Sequence, residues 1–154
     1  MSDLERALLA VIGARTGRSG LAFARRPESL AGGYWAEISA FSLADPPRGF
    51  AGELVLRRMP DTPHARLEIA IHAAVAELGF ATPRVRASGD SSGPLGRSFL
   101  IMDRARGETP DQLTHLLRRA RRALRLPRLL AEAAARLHAL PVEPLIARLR
   151  ERGG

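Results

Sequence analysis

The sequence predicts an α+β fold: a largely antiparallel sheet of about five strands with one packed helix, followed by helices alone. Three observations predict it. Three strand-like segments follow one another with no strong helical pattern between them, and residues 64–78 then switch to a helical period. Two more strand-like segments come next, and the pattern after Thr109 is helical only.

The N-terminal segment is predicted as a helix. Ser2 and Glu5 have the spacing of a capping box, and apolar residues then recur on one helical face over residues 3–15. Gly17 and Gly20 would end this helix. The strand-like segments are short and are bounded by Gly, Pro and Asp. They are Leu21–Pro27, Trp35–Leu43, Glu53–Arg57, Arg84–Ala87 and Ser98–Met102. Large residues alternate with small ones in the first segment, and the last is, after its serine, a continuous apolar run.

The helical segments have recognisable ends. In residues 64–78 one stripe is apolar, and Gly79 stands at the C-terminal cap position; the stripe is Leu67, Ile71, Ala74, Val75 and Leu78. Thr109 and Pro110 have the residue types of an N-cap and a first helical position. We expect Pro127 to interrupt that helix, with a second helix over 128–139 and a short one over about 142–152.

Composition limits the class of protein. The chain is 45% hydrophobic and 26% charged, as globular domains are, and has no cysteine for a disulfide or thiolate site. The four histidines are scattered without a metal-binding spacing. No apolar run is long enough to span a membrane, and the first residues carry acids where a signal peptide carries bases. We therefore expect a cytoplasmic protein without a membrane partner.

The positive charge of the chain is entirely arginine, because the sequence contains no lysine. Residues 112–154 hold ten arginines against three acids. A stretch such as Arg118–Arg128 could attract nucleic acid, but no aromatic residue stands between its arginines to stack on bases. We interpret it as a solvated helical face and do not expect a nucleic-acid partner.

Six short motifs occur in an order that identifies a family. Together, from about residue 18 to 142, they resemble the N-terminal lobe of the aminoglycoside phosphotransferase-like family, a choline-kinase-type and protein-kinase-like group. After the N-terminal helix, which the chain's own pattern predicts over residues 1–17, the resemblance implies a lobe with its hinge over 18–107 and the start of a helical second lobe over 108–154. The motifs are Leu30-Ala-Gly-Gly-Tyr-Trp-Ala-Glu37, Leu54-Val-Leu-Arg-Arg58, Arg66-Leu-Glu68, Gly79-Phe-Ala-Thr-Pro83, Leu95 to Gly107, and Ala134-Ala-Arg-Leu-His138.

The resemblance implies a nucleotide site on the phosphate side of the lobe. Gly32 and Gly33 would let backbone amides approach phosphate oxygens, although two glycines also make any tight turn. Arg57 would offset phosphate charge, and Glu68 would hold it by an ion pair. Two alternatives remain open: both side chains could be ordinary solvated residues, and Arg58 competes with Arg57 for the role.

The resemblance also implies a hinge. Backbone groups near Met102 and Arg104 would hydrogen-bond adenine, although Met102 could simply be a core residue. His138, at the end of a predicted helix, is interpreted as structural rather than catalytic.

The sequence lacks the residues that would perform phosphoryl transfer in this family. That transfer needs an aspartate beside the acceptor hydroxyl and Asn and Asp ligands for magnesium. The family supplies them from a His-Gly-Asp…Asn loop, and none of the four histidines here begins one. We therefore name no catalytic residue and no metal ligand, expect a chain truncated before the catalytic loop and inactive alone, and leave open whether it is an enzyme.

The family implies ATP or GTP, magnesium and a small-molecule acceptor in the complete enzyme. A second chain could supply the rest of the second lobe. The alternative function is a small basic nucleic-acid-binding protein that uses the arginine-rich C-terminal helices.

Overall fold

The computed structural model describes residues 1–31, 35–105 and 116–153, without the side chains of 116–123 and 152–153. Four helices and five strands lie in this part of the chain. In order they are α1 (Asp3–Thr16), β1 (Phe23–Ser29), β2 (Glu37–Leu43), β3 (Leu54–Met59), α2 (Pro63–Glu77), β4 (Val85–Gly89), β5 (Ser98–Asp103), α3 (Leu116–His138) and α4 (Val142–Gly153).

The five strands form one sheet in the order β1-β2-β3-β5-β4. Every neighbouring pair is antiparallel. This confirms the predicted α+β fold, and the layout is that of a kinase-like N-terminal lobe. Strand β3 lies in the middle, so its residues have hydrogen-bonded neighbours on both sides.

Each face of the sheet packs against one helix. Leu56 lies opposite Ile101, and these side chains form a buried cluster with Leu8 and Ile12 of α1. The next residue along, Arg57, points to the other face, because side chains alternate along a strand. There Met59 and Leu100 pack with Ala65 of α2. Helices α1 and α2 therefore lie on opposite faces of the sheet.

Helix α1 begins and ends as the sequence predicts. The Ser2 amide donates to Glu5 Oε2 over 2.7 Å, and the Glu5 amide donates to Ser2 Oγ over 3.2 Å, which completes the capping box. Gly17 closes the helix with φ of +69°, a left-handed conformation that glycine adopts without a steric penalty.

Helix α2 confirms the predicted helix but corrects its buried face. Leu67 and Ile71 of the predicted apolar stripe are 53% and 41% exposed. Ala74 and Val75 of that stripe are buried as predicted, and Ala65 and Ala70, which the stripe did not include, are buried with them. Small alanine side chains let the helix backbone lie close to its neighbours, so the packing follows residue size as well as apolar period.

The prediction that Pro127 interrupts a helix is wrong. Helix α3 runs without a break from Leu116 to His138 with Pro127 inside it. One proline costs about 3 kcal/mol in a helix interior, but alanine, leucine and arginine, which dominate α3, have the highest helix propensities. The predicted start at Thr109 and Pro110 lies outside the described residues.

The last helix returns to the lobe. Helix α4 packs against α2, and Arg148 Nε lies 3.3 Å from Glu77 Oε2 at this contact. The described side chains of α3, residues 124–138, are all exposed.

Candidate functional site

An ion pair joins the central strand to α2. Arg57 Nη1 of β3 donates to Glu68 Oε1. The two side chains are only 21% and 35% exposed. Solvent screens a partly buried ion pair less than a surface pair. This contact therefore fixes the position of α2 relative to β3 more strongly than a surface salt bridge would.

The start of α2 determines where Glu68 lies. Thr62 caps the helix by accepting a hydrogen bond from the Ala65 amide over 3.1 Å, and Pro63 occupies the first turn. Ala65 is fully buried against the sheet. Residues three apart share one side of a helix, so fixing Ala65 on the sheet places Glu68 on the side that meets Arg57.

Arg58 occupies the other face. Its Nη2 donates to Glu37 Oε2, and Arg97 Nη1 donates to Glu37 Oε1 over 3.0 Å. The hydrogen bond from Arg58, together with the charges of Arg58 and Arg97, lowers the pKa of Glu37. Arg57 and Arg58 therefore lie on opposite faces of the sheet, as side chains alternate along β3, and Arg57 is the one that meets Glu68.

An aromatic ring completes the surroundings of Arg57. Its guanidinium carbon lies over the Trp35 ring, 5.9 Å from the ring centroid. Trp35 is 45% exposed. From the sequence, Trp35 is predicted as the start of a strand and as a member of the glycine-turn motif, with no role for its ring. The available signal was its place two residues after the glycine pair, but spacing alone does not show which cation the ring covers.

Beside Arg57 the same face of the sheet is apolar. Ala40 and Val55 are buried and lie opposite each other, and Met102 lies opposite Val55 on the next strand. Ile38, opposite Arg57, is half-buried. We call Ile38, Ala40, Val55 and Met102 the apolar floor.

The predicted hinge residues lie at the end of β5. The amide of Asp103 donates to the Arg84 carbonyl over 3.1 Å, and that of Arg104 donates to the Glu53 carbonyl over 3.0 Å. Both N–H groups therefore already have backbone acceptors. An adenine bound at this edge would therefore have to use backbone carbonyls, or groups of the residues that follow, in place of these two amides. A contact between Arg104 and adenine would then not involve the Arg104 N–H group.

A charged cavity of about 770 Å³ opens at the same end of the sheet. Asp103 accepts two hydrogen bonds from Arg86, at 2.6 and 2.7 Å, and Glu53 bridges Arg25 and Arg104 at 2.9 and 3.1 Å. This network was not predicted from the sequence, because its members come from distant segments. The cavity is lined by Arg25, Ala51, Gly52, Glu53, Arg86, Asp103, Arg104 and Ala105.

Gly32 and Gly33 lie outside the described residues. Within residues 1–31, 35–105 and 116–153, no three His, Asp or Glu side chains come together in a way that could hold a metal ion. None of the helices described combines the length and the apolar character needed to cross a bilayer.

Comparison with known proteins gives one match. The family model described as "Phosphotransferase enzyme family" (APH) matches residues 38–153, well over half of the chain. No curated protein and no solved structure matches the chain. The matched segment contains β2 from its second residue, β3 to β5 and the Arg57–Glu68 pair, and the sheet has the layout of a kinase-like lobe. The chain belongs to the phosphotransferase enzyme family.

Proposed function

We propose that this chain forms the nucleotide-binding part of a small-molecule kinase that transfers a phosphoryl group from ATP or GTP to a hydroxyl. The observation that carries the proposal is the ion pair between Arg57 and Glu68. In protein kinases a base on the third strand contacts the phosphates and pairs with an acid on the helix that follows. Family membership supports the same reading.

Arg57 has the chemistry for a phosphate contact. A guanidinium carries five N–H donors and a permanent charge, and its planar fork matches two oxygens of a phosphate. Glu68 fixes one end of that fork through Nη1. The remaining donors are then presented by a side chain whose position is already set, which lowers the entropy cost of binding.

The apolar floor suits a nucleoside. Val55 and Met102 lie side by side across β3 and β5, next to Arg57 along the same face. Ile38 and Met102 are the half-buried members of the floor, so a flat base placed against them would bury apolar surface while its phosphates reach toward Arg57. Gly32 and Gly33, between β1 and β2, would bring backbone amides to the phosphates in the same arrangement.

Magnesium fits the described residues less well than the nucleotide does. When bound, the ion would neutralise charge developing on the phosphates. The described residues bring no three possible ligands together, so we assign none to it. The acceptor and a second chain supplying further catalytic groups remain part of the proposal without assigned residues.

Calorimetric titration with ATP–magnesium and GTP–magnesium tests the proposal. We expect Arg57→Ala to weaken binding on the order of 10- to 100-fold, since a charge-assisted hydrogen bond contributes about 1.5–3 kcal/mol. Arg58→Ala is the matched control: it removes the neighbouring arginine, of equal side-chain exposure at 21%, from the opposite face. Its affinity should stay within about twofold of the wild type, a change of about 0.4 kcal/mol.

Two results would contradict the proposal. A larger loss from Arg58→Ala than from Arg57→Ala would refute the assignment of Arg57. Absence of nucleotide binding by the folded wild type, with tight salt-dependent binding of duplex DNA that is unchanged by Arg57→Ala, would favour the arginine-rich helices and a nucleic-acid-binding function instead.

A further inference from the structure

We propose that Trp35 is a positioning residue for the phosphate-binding arginine: its ring holds the Arg57 guanidinium in place and makes arginine, rather than lysine, the base that this site requires. The inference rests on the proposed function and deepens it. Trp35 lies between β1 and β2 in the chain, and by positioning Arg57 it would influence phosphate binding without touching the phosphate itself.

The two contacts of Arg57 use different parts of its guanidinium. Glu68 accepts a hydrogen bond from Nη1, and hydrogen bonds lie in the plane of the group. Trp35 is reached by the guanidinium carbon, which lies over the ring at 5.9 Å from its centroid. That distance is within the range of a cation–π contact, and tryptophan is the aromatic residue that makes the strongest one.

A ring over the group leaves its in-plane donors available. Among the described residues, Glu68 is the single acceptor recorded for Arg57. The N–H groups that Glu68 does not use can therefore donate to an anion while both holding contacts persist. A lysine ammonium could contact the ring or the carboxylate. Because it is a point charge without a planar fork, it could not contact the ring with its face and at the same time donate in its plane to the carboxylate and to an anion.

The backbone next to Trp35 is held against the sheet. Trp35 precedes Ala36, which is 8% exposed and packs with Met59 and Leu100. The register then sets Ile38 directly opposite Arg57. Trp35 itself lies in the bend before β2, and its ring meets the guanidinium through the cation–π contact.

The exposure of Trp35 supports a role outside the core. Large aromatic side chains usually bury most of their surface, but this one is 45% exposed and belongs to neither buried cluster. The contact with the Arg57 guanidinium is therefore the interaction recorded for this ring among the described residues.

A double-mutant cycle without ligand tests the contact first. We measure urea unfolding of Trp35→Leu, Arg57→Gln and the double variant by circular dichroism. The two substitutions should be coupled by about two- to fivefold in the folding equilibrium constant, the size of a partly exposed cation–π contact. A cycle of Trp35→Leu with Arg58→Gln is the control and should show no coupling. Additive effects in the first cycle would overturn the inference.

A second cycle, on ATP–magnesium affinity, tests the role. Trp35→Leu should weaken binding about two- to tenfold when Arg57 is present and have no effect in the Arg57→Ala background, a dependence that a purely structural role would not produce. Trp35→Phe should restore part of the loss. We also expect Arg57→Lys to bind more weakly than the wild type.

The intrinsic fluorescence supplies an independent signal, because Trp35 is the only tryptophan in the sequence. At an ATP–magnesium concentration near the wild-type Kd, the emission should change in the wild type and in Arg58→Ala but little in Arg57→Ala, which binds about 10- to 100-fold more weakly. If the wild type binds nucleotide and the affinity cycle is additive, the inference fails and the proposed function stands. If the folded wild type binds neither ATP nor GTP, the proposed function fails together with the phosphate role of Trp35.

Discussion

Asp61 accepts a hydrogen bond from the fully buried hydroxyl of Ser98 over 2.6 Å. Its other carboxylate oxygen accepts one from Ser91 in the loop between β4 and β5. Asp61 immediately precedes Thr62, the N-cap of α2. One carboxylate therefore connects the start of the helix that carries Glu68 to the first residue of β5.

This carboxylate should make stability depend on pH. The hydrogen bond from Ser91, and then that from Ser98, lowers the pKa of Asp61 from its ordinary 3.8. Because the folded pKa lies below the unfolded one, the stabilisation is present above pH 3.8 and is lost as pH falls through the lowered folded value. Asp61→Asn should therefore lose less stability than the wild type over this acid range.

Urea unfolding at a series of pH values measures the difference. The variant Ser91→Ala/Ser98→Ala keeps the carboxylate but removes the groups that lower its pKa, so its acid dependence should resemble that of Asp61→Asn. Parallel curves for the wild type and both variants would show that Asp61 does not contribute.

Gly89 is predicted to be intolerant of any side chain. A Cβ atom at this position would lie 2.5 Å from the Phe99 ring, and Phe99 is buried in the cluster that α1 covers. Overpacking of this kind costs about 1–3 kcal/mol. We expect Gly89→Ala to lower the free energy of unfolding by that amount, while the control Gly93→Ala, whose Cβ would be 3.7 Å from its nearest neighbour, changes it little.

The exposed leucines of α3 are predicted to mediate association rather than folding. Leu124 and Leu130 are 83% and 61% exposed. Their replacement by glutamine should change the unfolding free energy by less than about 0.5 kcal/mol, whereas Leu8→Ala in the core should cost about 2–5 kcal/mol. Exposed apolar patches mark partners or self-association, so wild-type oligomers seen by light scattering should diminish in the glutamine variants.

Salt provides a further check on the same helix. Mutual repulsion between arginines is screened as ionic strength rises, so self-association of the wild type should increase with salt. A wild type that stays monomeric at every concentration and salt level would contradict this prediction.

Phosphoryl transfer by this polypeptide alone is predicted to be undetectable. Catalysis of this reaction comes from positioning and electrostatic stabilisation, and the sequence contains no His-Gly-Asp loop to provide them. Labelled γ-phosphate and an aminoglycoside acceptor measure it. Arg57→Ala distinguishes a contaminant from the protein: turnover that this variant abolishes would show that the polypeptide is itself active.

The sequence was sufficient for the element order, because period and capping residues are local signals. Ser2 with Glu5, and Gly17, predicted the ends of α1 correctly. It failed where packing decides. The apolar period could not show that α2 buries Ala65 and Ala70 while Leu67 stays exposed. The proline rule predicted a break in α3, where the high helix propensity of the other residues prevails.

The candidate site was predictable only in part. Alternation along β3 separated Arg57 from Arg58, and the predicted pairing of Arg57 with Glu68 is present. Two sets of contacts join residues that are 22 to 37 positions apart in the sequence, and they depend on how the strands pair. They are the contact of Trp35 with Arg57 and the hydrogen bonds that Asp61 accepts from Ser91 and Ser98. Register of that range cannot be read from spacing. The nucleotide roles of Gly32, Gly33, Met102 and Arg104 stay predictions.

The position of α1 has a practical consequence for anyone who trims the protein. The family match begins at residue 38, inside β2, but Leu8 and Ile12 lie against Phe41 and Leu56 on the sheet. A polypeptide cut to the matched segment would lose α1, β1 and the first residue of β2. One face of the sheet would then be exposed to solvent, and β2 would become an unpaired edge strand that can pair with other chains. The homology boundary and the folding boundary therefore differ, and expression from residue 38 should yield inclusion bodies where expression from Met1 yields folded protein.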